Sequence, residues 1–211
     1  ILYCKKPDMV LGMGGFVSAP GGFAAWIYRC PLIIHEQNTI PGLANRILAY
    51  LSSCTLEAYP NTFHSKFKTM VTGNPIRQEI VQVGERRLKR VTDTTFNILI
   101  FGGSRGARIL NEVVPQALSK VDRCNISILH QCGFDSKEAL KNEYKKFGLI
   151  DSSRVCTFID DMADAYDWAD LLICRSGAMT LSELTTAGLV SVLVPYKYAV
   201  DDHQTKNAEY Y

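Results

Sequence analysis

Short apolar runs alternate along the chain with glycine-rich or polar turns and with longer amphipathic segments. The runs consist mainly of Ile, Val and Leu with little apolar–polar alternation, which is typical of strands buried on both faces of a parallel sheet. We predict strands at 9–12, 31–35, 54–58, 97–102, 126–131, 155–159, 171–174 and 190–195. We predict helices at 21–29, 41–52, 106–120, 135–147, 162–169 and 179–187. This pattern indicates an α/β fold with helices on both faces of parallel sheets.

One segment interrupts the alternation. The stretch "VQVGERRLKRVTDTTF" (81–96) is polar, basic and poor in apolar periodicity. We therefore predict a domain boundary near residues 78–95, with one domain at 1–80 and a second at 81–211. The chain begins at Ile1 and ends in "HQTKNAEYY", which resembles the start of a helix, so we expect both domains to be incomplete.

Composition narrows the class of protein only slightly. The 211 residues are 47% hydrophobic and 21% charged, and the net charge is +2, which argues against a nucleic acid partner because such proteins carry a strongly basic face. Seven cysteines form no C-x-x-C pair, so we expect buried, reduced thiols in a cytosolic protein rather than disulfides or a zinc site. No apolar run reaches the roughly 18 residues of a membrane span, and no signal-peptide pattern is present.

The turns that follow strands hold the candidate chemistry, because open α/β sheets bind ligands beyond the carboxyl ends of their strands. The turn "GMGGFVSAPGG" (12–22) could bind an anion through its backbone or serve only as a tight turn, and the dinucleotide pattern G-x-G-x-x-G fails at Val17. In "FGGSRGARILN" (101–111), Ser104 could contact a phosphate group or cap the next helix. The P-loop pattern is absent.

Two further turns are rich in polar side chains. The stretch "HEQNTIPG" (35–42) could bond to sugar hydroxyls, or it could cap the helix that Pro41 opens; it does not match the zinc pattern H-E-x-x-H. In "FIDDMADAYDWAD" (158–170), Asp160 and Asp161 could hold a metal ion. Acids in the first turn of a helix are stabilised by the helix dipole, so we favour this structural role over metal binding for both aspartates.

The segment "CRSGAMTLSE" (174–183) contains a capping-box pattern. Thr180 would be the N-cap and Glu183 would reach back to it. Spacing favours this capping role over a role for Glu183 as a ligand-binding carboxylate.

Seven segments occur in order: "LGMGGFVSAPGG", "HEQNTIPGLANR", "GNPIR", "GGSRGARILN", "FIDDMADAY", "CRSGAMTLSE" and "DHQTKNA". Together they resemble the MurG family of N-acetylglucosaminyltransferases, in glycosyltransferase family 28, over essentially the whole chain. The resemblance implies the GT-B fold, with two Rossmann-like parallel-sheet domains facing a cleft. It also implies inverting transfer of N-acetylglucosamine from UDP-N-acetylglucosamine to lipid I, which gives lipid II for peptidoglycan synthesis. The enzyme would act peripherally on the cytoplasmic face of the bacterial plasma membrane, with no cofactor and no metal.

The resemblance also implies that the second domain binds the donor. Ser104 would contact the diphosphate, the Ile159 backbone would pair with the uracil edge, and Met162 would lie beside the base. Glu183 would accept hydrogen bonds from the ribose hydroxyls, and Gln204 would bind the sugar hydroxyls. The implied donor-binding residues are Asn38, Arg77, Ser104, Ile159, Met162, Ala178, Met179, Thr180, Leu181, Ser182, Glu183 and Gln204.

On the first domain, the resemblance implies a site for the acceptor diphosphate at Gly14, Gly15 and Ser18. The family's candidate catalytic base, a histidine, would lie upstream of Ile1. We therefore expect this chain to bind the donor weakly and not to turn over unaided. Two helices could also touch an anionic bilayer, although we expect at least half of their apolar residues to be core. The residues concerned are Trp26, Ile47, Leu48, Tyr50 and Leu51, with Arg29 and Arg46 nearby.

Three alternatives stay open. Another GT-B enzyme that uses a UDP-sugar, such as a glycolipid transferase or an epimerase, would share most of these features. A nicotinamide-dependent oxidoreductase would use Glu36, which follows the second strand where a ribose-binding acid belongs. The chain could also fold and bind partners without catalysis.

Overall fold

The computed structural model describes residues 2–88, 94–103, 106–121 and 125–211, which form two compact units. The first unit contains the chain up to Pro75 together with Gly177–Met179 and Tyr196–Tyr211. The second contains Ile76–Ser176 and Thr180–Pro195. The segment Tyr196–Tyr211 thus groups with the first unit, whereas the sequence analysis assigned it to the second domain.

The first unit is built on a four-stranded parallel sheet with the order β1-β2-β3-β4. Its core lies between the sheet and the helices α2 and α3, where Leu32, Ile34 and Leu48 are almost fully buried. Its strands are β1 (Val10–Gly12), β2 (Leu32–Glu36), β3 (Cys54–Glu57) and β4 (Thr69–Val71). Its helices are α1 (Leu2–Lys5), α2 (Ser18–Ile27), α3 (Leu43–Leu48) and, after a 3₁₀ turn at Val200–Asp202, α9 (His203–Tyr210).

The second unit is built on a five-stranded parallel sheet with the order β7-β6-β5-β8-β9. Its strands are β5 (Phe96–Phe101), β6 (Ile126–Gln131), β7 (Ser153–Cys156), β8 (Leu171–Cys174) and β9 (Val190–Leu193). Its helices are α4 (Gln78–Arg87), α5 (Arg108–Leu118), α6 (Lys137–Lys146), α7 (Met162–Trp168) and α8 (Ala178–Ala187). Separate cores on the two faces of this sheet confirm the predicted arrangement of helices on both sides.

Among the elements that were not predicted from the sequence are α1, β4 and α4. All three residues of β4 are exposed, so burial imposes no apolar pattern on this strand. Helix α4 covers the first part of the polar stretch that we placed at the domain boundary, and only Ile80 and Val83 on it are buried. These two side chains belong to the core formed with α7, α8, β5 and β8, so α4 is part of the second unit.

Arg87, the last residue of α4, caps the C-terminal end of α7. Nη1 of Arg87 donates hydrogen bonds to the carbonyl oxygens of Tyr166, Asp167 and Ala169, at 3.0, 3.3 and 2.6 Å. The last carbonyl groups of a helix have no partner within it, and a guanidinium group satisfies them while matching the negative end of the helix dipole. The basic character of this segment therefore has a structural use.

The packing of α4 against α8 gives a stability prediction. A Cβ atom on Gly84 would lie 2.2 Å from the carbonyl oxygen of Thr186, so the two helices approach too closely for any larger residue. We expect Gly84→Ala to lower the free energy of unfolding by about 1–3 kcal/mol, measured by chemical denaturation.

Gly21→Ala in α2 is the matched control, because a Cβ there meets no atom within 4 Å. Alanine favours helix over glycine, so the control should leave stability equal or slightly higher. A Gly84→Ala protein as stable as wild type would contradict the close approach of α4 and α8.

Candidate functional site

The strand order of the second sheet locates a candidate ligand site. The chain runs outward from β5 to β6 and β7, then returns to the other side of β5 to form β8 and β9. Ligands of open α/β sheets bind at this reversal, beyond the carboxyl ends of the two strands that flank it. The turns after β5 and β8, which the sequence analysis selected, therefore lie beside the expected crevice.

The turn after β5 depends on glycine. Gly103 and Gly106 have φ values of 91° and 74°, and a Cβ on Gly106 would lie 2.2 Å from the carbonyl oxygen of Cys132. Only glycine tolerates both demands at position 106. Ser104, the predicted diphosphate contact in this turn, lies outside the described residues.

Gln131 holds this turn in place and was missed by the sequence analysis. Its side chain is 4% exposed at the carboxyl end of β6. Nε2 donates to the carbonyl oxygens of Gly103 and Thr157, at 3.1 and 3.4 Å, so one amide joins the turns after β5 and β7. A polar residue that ends a buried apolar strand was the available sequence signal.

Glu183 does not form the predicted capping box. Helix α8 begins at Ala178, so Thr180 lies inside its first turn and is not the N-cap. The Glu183 carboxylate instead accepts a hydrogen bond from Nη2 of Arg77 at 3.2 Å and from Oη of Tyr166 at 2.9 Å. The capping interpretation is therefore wrong, and the carboxylate is oriented by α4 and α7.

Tyr166 is the buried partner in this arrangement, with no exposed surface. Burial raises the pKa of its phenol well above the ordinary value, and the charge of Glu183 raises that pKa further. The phenol therefore keeps its proton and acts as a donor to Glu183. Arg77 is different, because its side chain is 57% exposed and its ion pair with Glu183 is screened by water.

The predicted donor residues around α7 and α8 have different environments. Ile159 and Met162 are half-buried and pack against the core at the start of α7. Leu181 is buried in that core, so its side chain cannot meet a ligand. Of the predicted donor residues on α8, the exposed or half-buried ones are Met179, Thr180, Ser182 and Glu183, and Ala178 is buried at the first position of the helix.

Asp161 is the N-cap of α7, one position before the first turn in which the favoured interpretation placed it. Its Oδ1 accepts a hydrogen bond from the backbone N–H of Asp164 at 2.9 Å. Within the described ranges, no group of three or more His, Cys, Asp or Glu residues is placed to hold a metal ion.

On the first unit, Glu36 is a structural residue. It is 2% exposed, and its carboxylate accepts four hydrogen bonds. Oε1 accepts from the backbone N–H and from Nδ2 of Asn38, at 3.1 and 3.0 Å. Oε2 accepts from the N–H of Gly42 and from Nδ2 of Asn45, at 3.0 and 2.8 Å. A carboxylate has about four acceptor positions, so Glu36 has none left for a ribose, and the nicotinamide alternative loses its key residue.

The neighbouring polar residues of "HEQN" link turns of the same unit. His35 contacts the carbonyl oxygen of Gly73 through Nε2 at 3.0 Å and the Gln37 amide through Nδ1 at 3.1 Å. Nε2 of Gln37 also donates to the carbonyl oxygen of Met13 at 3.1 Å. Since Gly42 is the N-cap of α3, the stretch holds the start of that helix, which agrees with the capping alternative.

Helix α9 attaches to the same stretch. Oδ1 of the fully buried Asn207 accepts hydrogen bonds from the N–H and Oγ1 of Thr39, at 3.0 and 2.9 Å. Nδ2 of Asn207 donates to Oδ1 of Asn38 at 3.0 Å. Gln204 lies one turn earlier on α9 and accepts from the N–H of Tyr196 at 2.9 Å. Asn38 is thus engaged within the first unit, between Glu36 and α9.

The predicted acceptor site lies in the turn after β1. Gly14 and Gly15 have φ values of 81° and 73°, and the Ser18 hydroxyl donates to the carbonyl oxygen of Gly14. Successive residues of this kind turn backbone groups toward a common point, as in anion-binding turns. Gly15 also has open space around it, since a Cβ there would meet nothing within 4 Å.

The apolar residues proposed for a membrane face differ in how exposed they are. Trp26, Ile47 and Tyr50 are 51%, 56% and 69% exposed, whereas Leu48 is buried and Leu51 packs partly against the core. The expectation that at least half of the five are core is therefore wrong. In the described part of the chain, no helix is long and apolar enough to cross a membrane.

The six described cysteines are all free, and Cys124 lies outside the described residues. Cys132 and Cys174 are buried, as predicted, and burial raises the pKa of the Cys174 thiol to about 12. Cys4 is exposed, and Cys30, Cys54 and Cys156 are half-buried, so the prediction of buried thiols holds for two.

Comparison with known proteins identifies the family. The model of the glycosyltransferase family 28 C-terminal domain matches residues 97–211, more than half of the chain, and that of the family's N-terminal domain matches residues 1–56. The chain therefore belongs to glycosyltransferase family 28.

Individual relatives agree with this assignment. The chain is 49% identical over 205 residues to the UDP-N-acetylglucosamine–N-acetylmuramyl-(pentapeptide) pyrophosphoryl-undecaprenol N-acetylglucosamine transferase of Shewanella pealeana, covering 97% of the chain and 56% of the relative. The Nitrosococcus oceani protein of the same name is also 49% identical, with 57% of its length covered. The chain thus spans little more than half the length of these relatives.

Solved structures agree on the fold. The crystal structure of Acinetobacter baumannii MurG superposes with a TM-score of 0.83 at 42% identity, over 99% of this chain and 58% of that one. The UDP-GlcNAc 2-epimerase of Neisseria meningitidis gives a TM-score of 0.65 at 14% identity, over 98% and 67% of the two chains, and so shows the fold only. The predicted GT-B class, with two parallel α/β sheets, is confirmed.

The saturated carboxylate of Glu36 gives a testable prediction. In Glu36→Gln, an amide group replaces one acceptor oxygen and faces two N–H donors, which leaves buried donors without partners. We expect the free energy of unfolding to fall by about 2–4 kcal/mol in chemical denaturation.

Glu85→Gln makes the same chemical change on an exposed position of α4 and should alter stability by no more than about 0.5 kcal/mol. Equal stability of Glu36→Gln and wild type would show that Glu36 is not a structural carboxylate.

Proposed function

We propose that the chain is part of an inverting hexosyltransferase that moves N-acetylglucosamine from UDP-N-acetylglucosamine to lipid I and so makes lipid II for the bacterial cell wall. The names of two relatives at 49% identity support this substrate pair. The observation that carries the proposal is the oriented, incompletely satisfied carboxylate of Glu183 on α8. A ribose offers two neighbouring hydroxyl donors, and a carboxylate accepts both.

The second unit would bind the nucleotide. Ile159 would pair with the uracil edge through its backbone, and Met162 would lie beside the base at the start of α7. The diphosphate would meet Ser104 and the N-terminus of α8 at Ala178 and Met179. The positive end of a helix stabilises the charge that develops on a leaving diphosphate.

Arg77 and Asn38 take different parts in this proposal. Arg77 already contacts Glu183, so it would lie beside the nucleotide. Asn38 is bonded to Glu36 and Asn207, so it would act mainly by holding the middle of α9 in place. The contact of Arg77 with Glu183 lies within the second unit, and the contacts of Asn38 with Glu36 and Asn207 lie within the first.

The first unit would bind the acceptor. Gly14, Gly15 and Ser18 would meet the lipid diphosphate through backbone groups of their turn. Exposed Trp26, Ile47 and Tyr50, near the exposed Arg29 and Arg46, support peripheral binding to the cytoplasmic face of an anionic membrane.

The reaction would be a single displacement at the anomeric carbon. The acceptor hydroxyl attacks, its proton passes to a general base, and the bond to the UDP oxygen breaks, so the configuration inverts. We assign none of the described residues as this base. The chain's own contribution would be to bind and orient the donor and to stabilise the leaving diphosphate.

The role of Glu183 can be tested by substitution. Glu183→Gln removes the negative charge while keeping one oxygen as acceptor. We expect UDP affinity, measured by isothermal titration calorimetry, to fall about tenfold or more, because hydrogen bonds to charged groups contribute about 1.5–3 kcal/mol. Some fall in melting temperature is expected as well, because the Arg77 side chain is 57% exposed but the Glu183 side chain is only 15% exposed.

Glu143→Gln, on α6, is the control and should bind UDP like wild type. Unchanged UDP affinity in Glu183→Gln, together with a lower melting temperature, would assign Glu183 a purely structural role.

Donor competition separates the proposed enzyme from its relatives in fold. UDP-N-acetylglucosamine should displace bound UDP at lower concentration than UDP-glucose, and NADH should not displace it, because Glu36 is already saturated. Ligand binding also raises the melting temperature by mass action, which gives a second readout. Equal displacement by all UDP-sugars would favour another member of the fold, and no response to millimolar UDP would remove the donor-site assignment.

A further inference from the structure

Tyr166 combines a fully buried ring with a hydroxyl group that donates to one carboxylate among the described residues. The ring lies in the core formed by α4, α7, α8, β5 and β8. Its hydroxyl donates to Oε2 of Glu183 at 2.9 Å. A phenylalanine would fill the same space, so packing does not account for the hydroxyl. Its interaction with Glu183 is what distinguishes tyrosine from phenylalanine at this position.

The two partners of Glu183 differ in rigidity. Arg77 is a long side chain, 57% exposed, and holding it in one geometry costs conformational entropy. Tyr166 is fixed by close packing on all sides and has only its hydroxyl torsion free. The rigid donor therefore determines where Oε2 lies and how the carboxylate plane is turned.

The remaining acceptor capacity of Glu183 matches a pair of neighbouring hydroxyls. A carboxylate offers about two acceptor positions on each oxygen. Arg77 takes one on Oε1 and Tyr166 takes one on Oε2. One position per oxygen is then left, and a vicinal diol supplies one donor to each. If the carboxylate rotates, this paired geometry is lost while single contacts persist.

We infer that Tyr166 is a positioning residue that holds the Glu183 carboxylate in the orientation for binding both hydroxyls of a ribose, and that it thereby sets the preference for a ribonucleotide over a 2′-deoxyribonucleotide. The inference rests on the proposed UDP-binding function. Tyr166 itself is buried behind Glu183 and acts through it.

The test compares UDP with 2′-deoxy-UDP in Tyr166→Phe by isothermal titration calorimetry. UDP affinity should fall about 5- to 20-fold, because one of two hydroxyl contacts is lost and the other weakened. Affinity for 2′-deoxy-UDP should fall only about twofold, so the ratio of UDP affinity to 2′-deoxy-UDP affinity decreases. Circular dichroism should match wild type, since the ring still fills the core.

Tyr144→Phe is the matched control. Tyr144 is equally buried, but its hydroxyl lies 2.8 Å from Nδ1 of His130 in the core on the other face of the sheet. This variant removes the same atom and should leave both UDP affinity and the ribose preference unchanged, even if its stability drops. If Tyr144→Phe lowers the ratio of UDP affinity to 2′-deoxy-UDP affinity as well, the lower ratio is a general consequence of destabilisation. That result would overturn the inference.

Wild type provides a measurement that needs no folded variant. With tyrosine labelled at Cζ, the Tyr166 carbon signal should shift when UDP binds and shift much less with 2′-deoxy-UDP. The inference is overturned if wild type binds UDP without this shift, or if Tyr166→Phe keeps the wild-type ratio of UDP affinity to 2′-deoxy-UDP affinity. Either result leaves the proposed function standing. Wild type that binds no UDP overturns both.

Discussion

Parallel strand pairing is the constraint on which the rest of this structure depends. Every strand pair described in both sheets is parallel, so the turns that follow the strands of a sheet emerge at one edge of it. The second sheet reverses its winding between β5 and β8, which opens a crevice at that edge. The fold thus selects the turns that can carry chemistry before any side chain is considered.

Glu36 and Glu183 differ in how many hydrogen bonds their carboxylates accept from the protein. Glu36 receives four hydrogen bonds from its own turn and from α3, so its acceptor capacity is used up in holding the fold. Glu183 receives bonds from Arg77 and Tyr166 and keeps about half of its capacity. Glu36 is therefore structural, whereas Glu183 keeps acceptor positions that fit the ligand role proposed for it.

The sequence predicted the fold well where burial leaves a local pattern. The apolar run of β5 is buried from its second residue onward, those of β6 and β8 are buried or half-buried throughout, and all three were found close to their true bounds. Prediction failed for α4, because only Ile80 and Val83 contact the core and the rest of the helix is polar. The start of α8 was predicted to within one residue, but the capping-box interpretation failed, since Thr180 lies inside the helix rather than before it.

The site was harder to predict than the fold. The resemblance implied Glu183, but Gln131 and Tyr166 act through partners that are distant in sequence and leave no local pattern. The contact of Thr39 with Asn207 joins residues 168 positions apart, which periodicity cannot reveal.

The most direct test of this account is a crystal structure of the chain with bound UDP. The account predicts the uracil at the start of α7, with the two ribose hydroxyls donating to Glu183 while Oε2 still accepts from Tyr166. Uridine bound elsewhere, or a Glu183 carboxylate that contacts only Arg77 and Tyr166 in the complex, would contradict it.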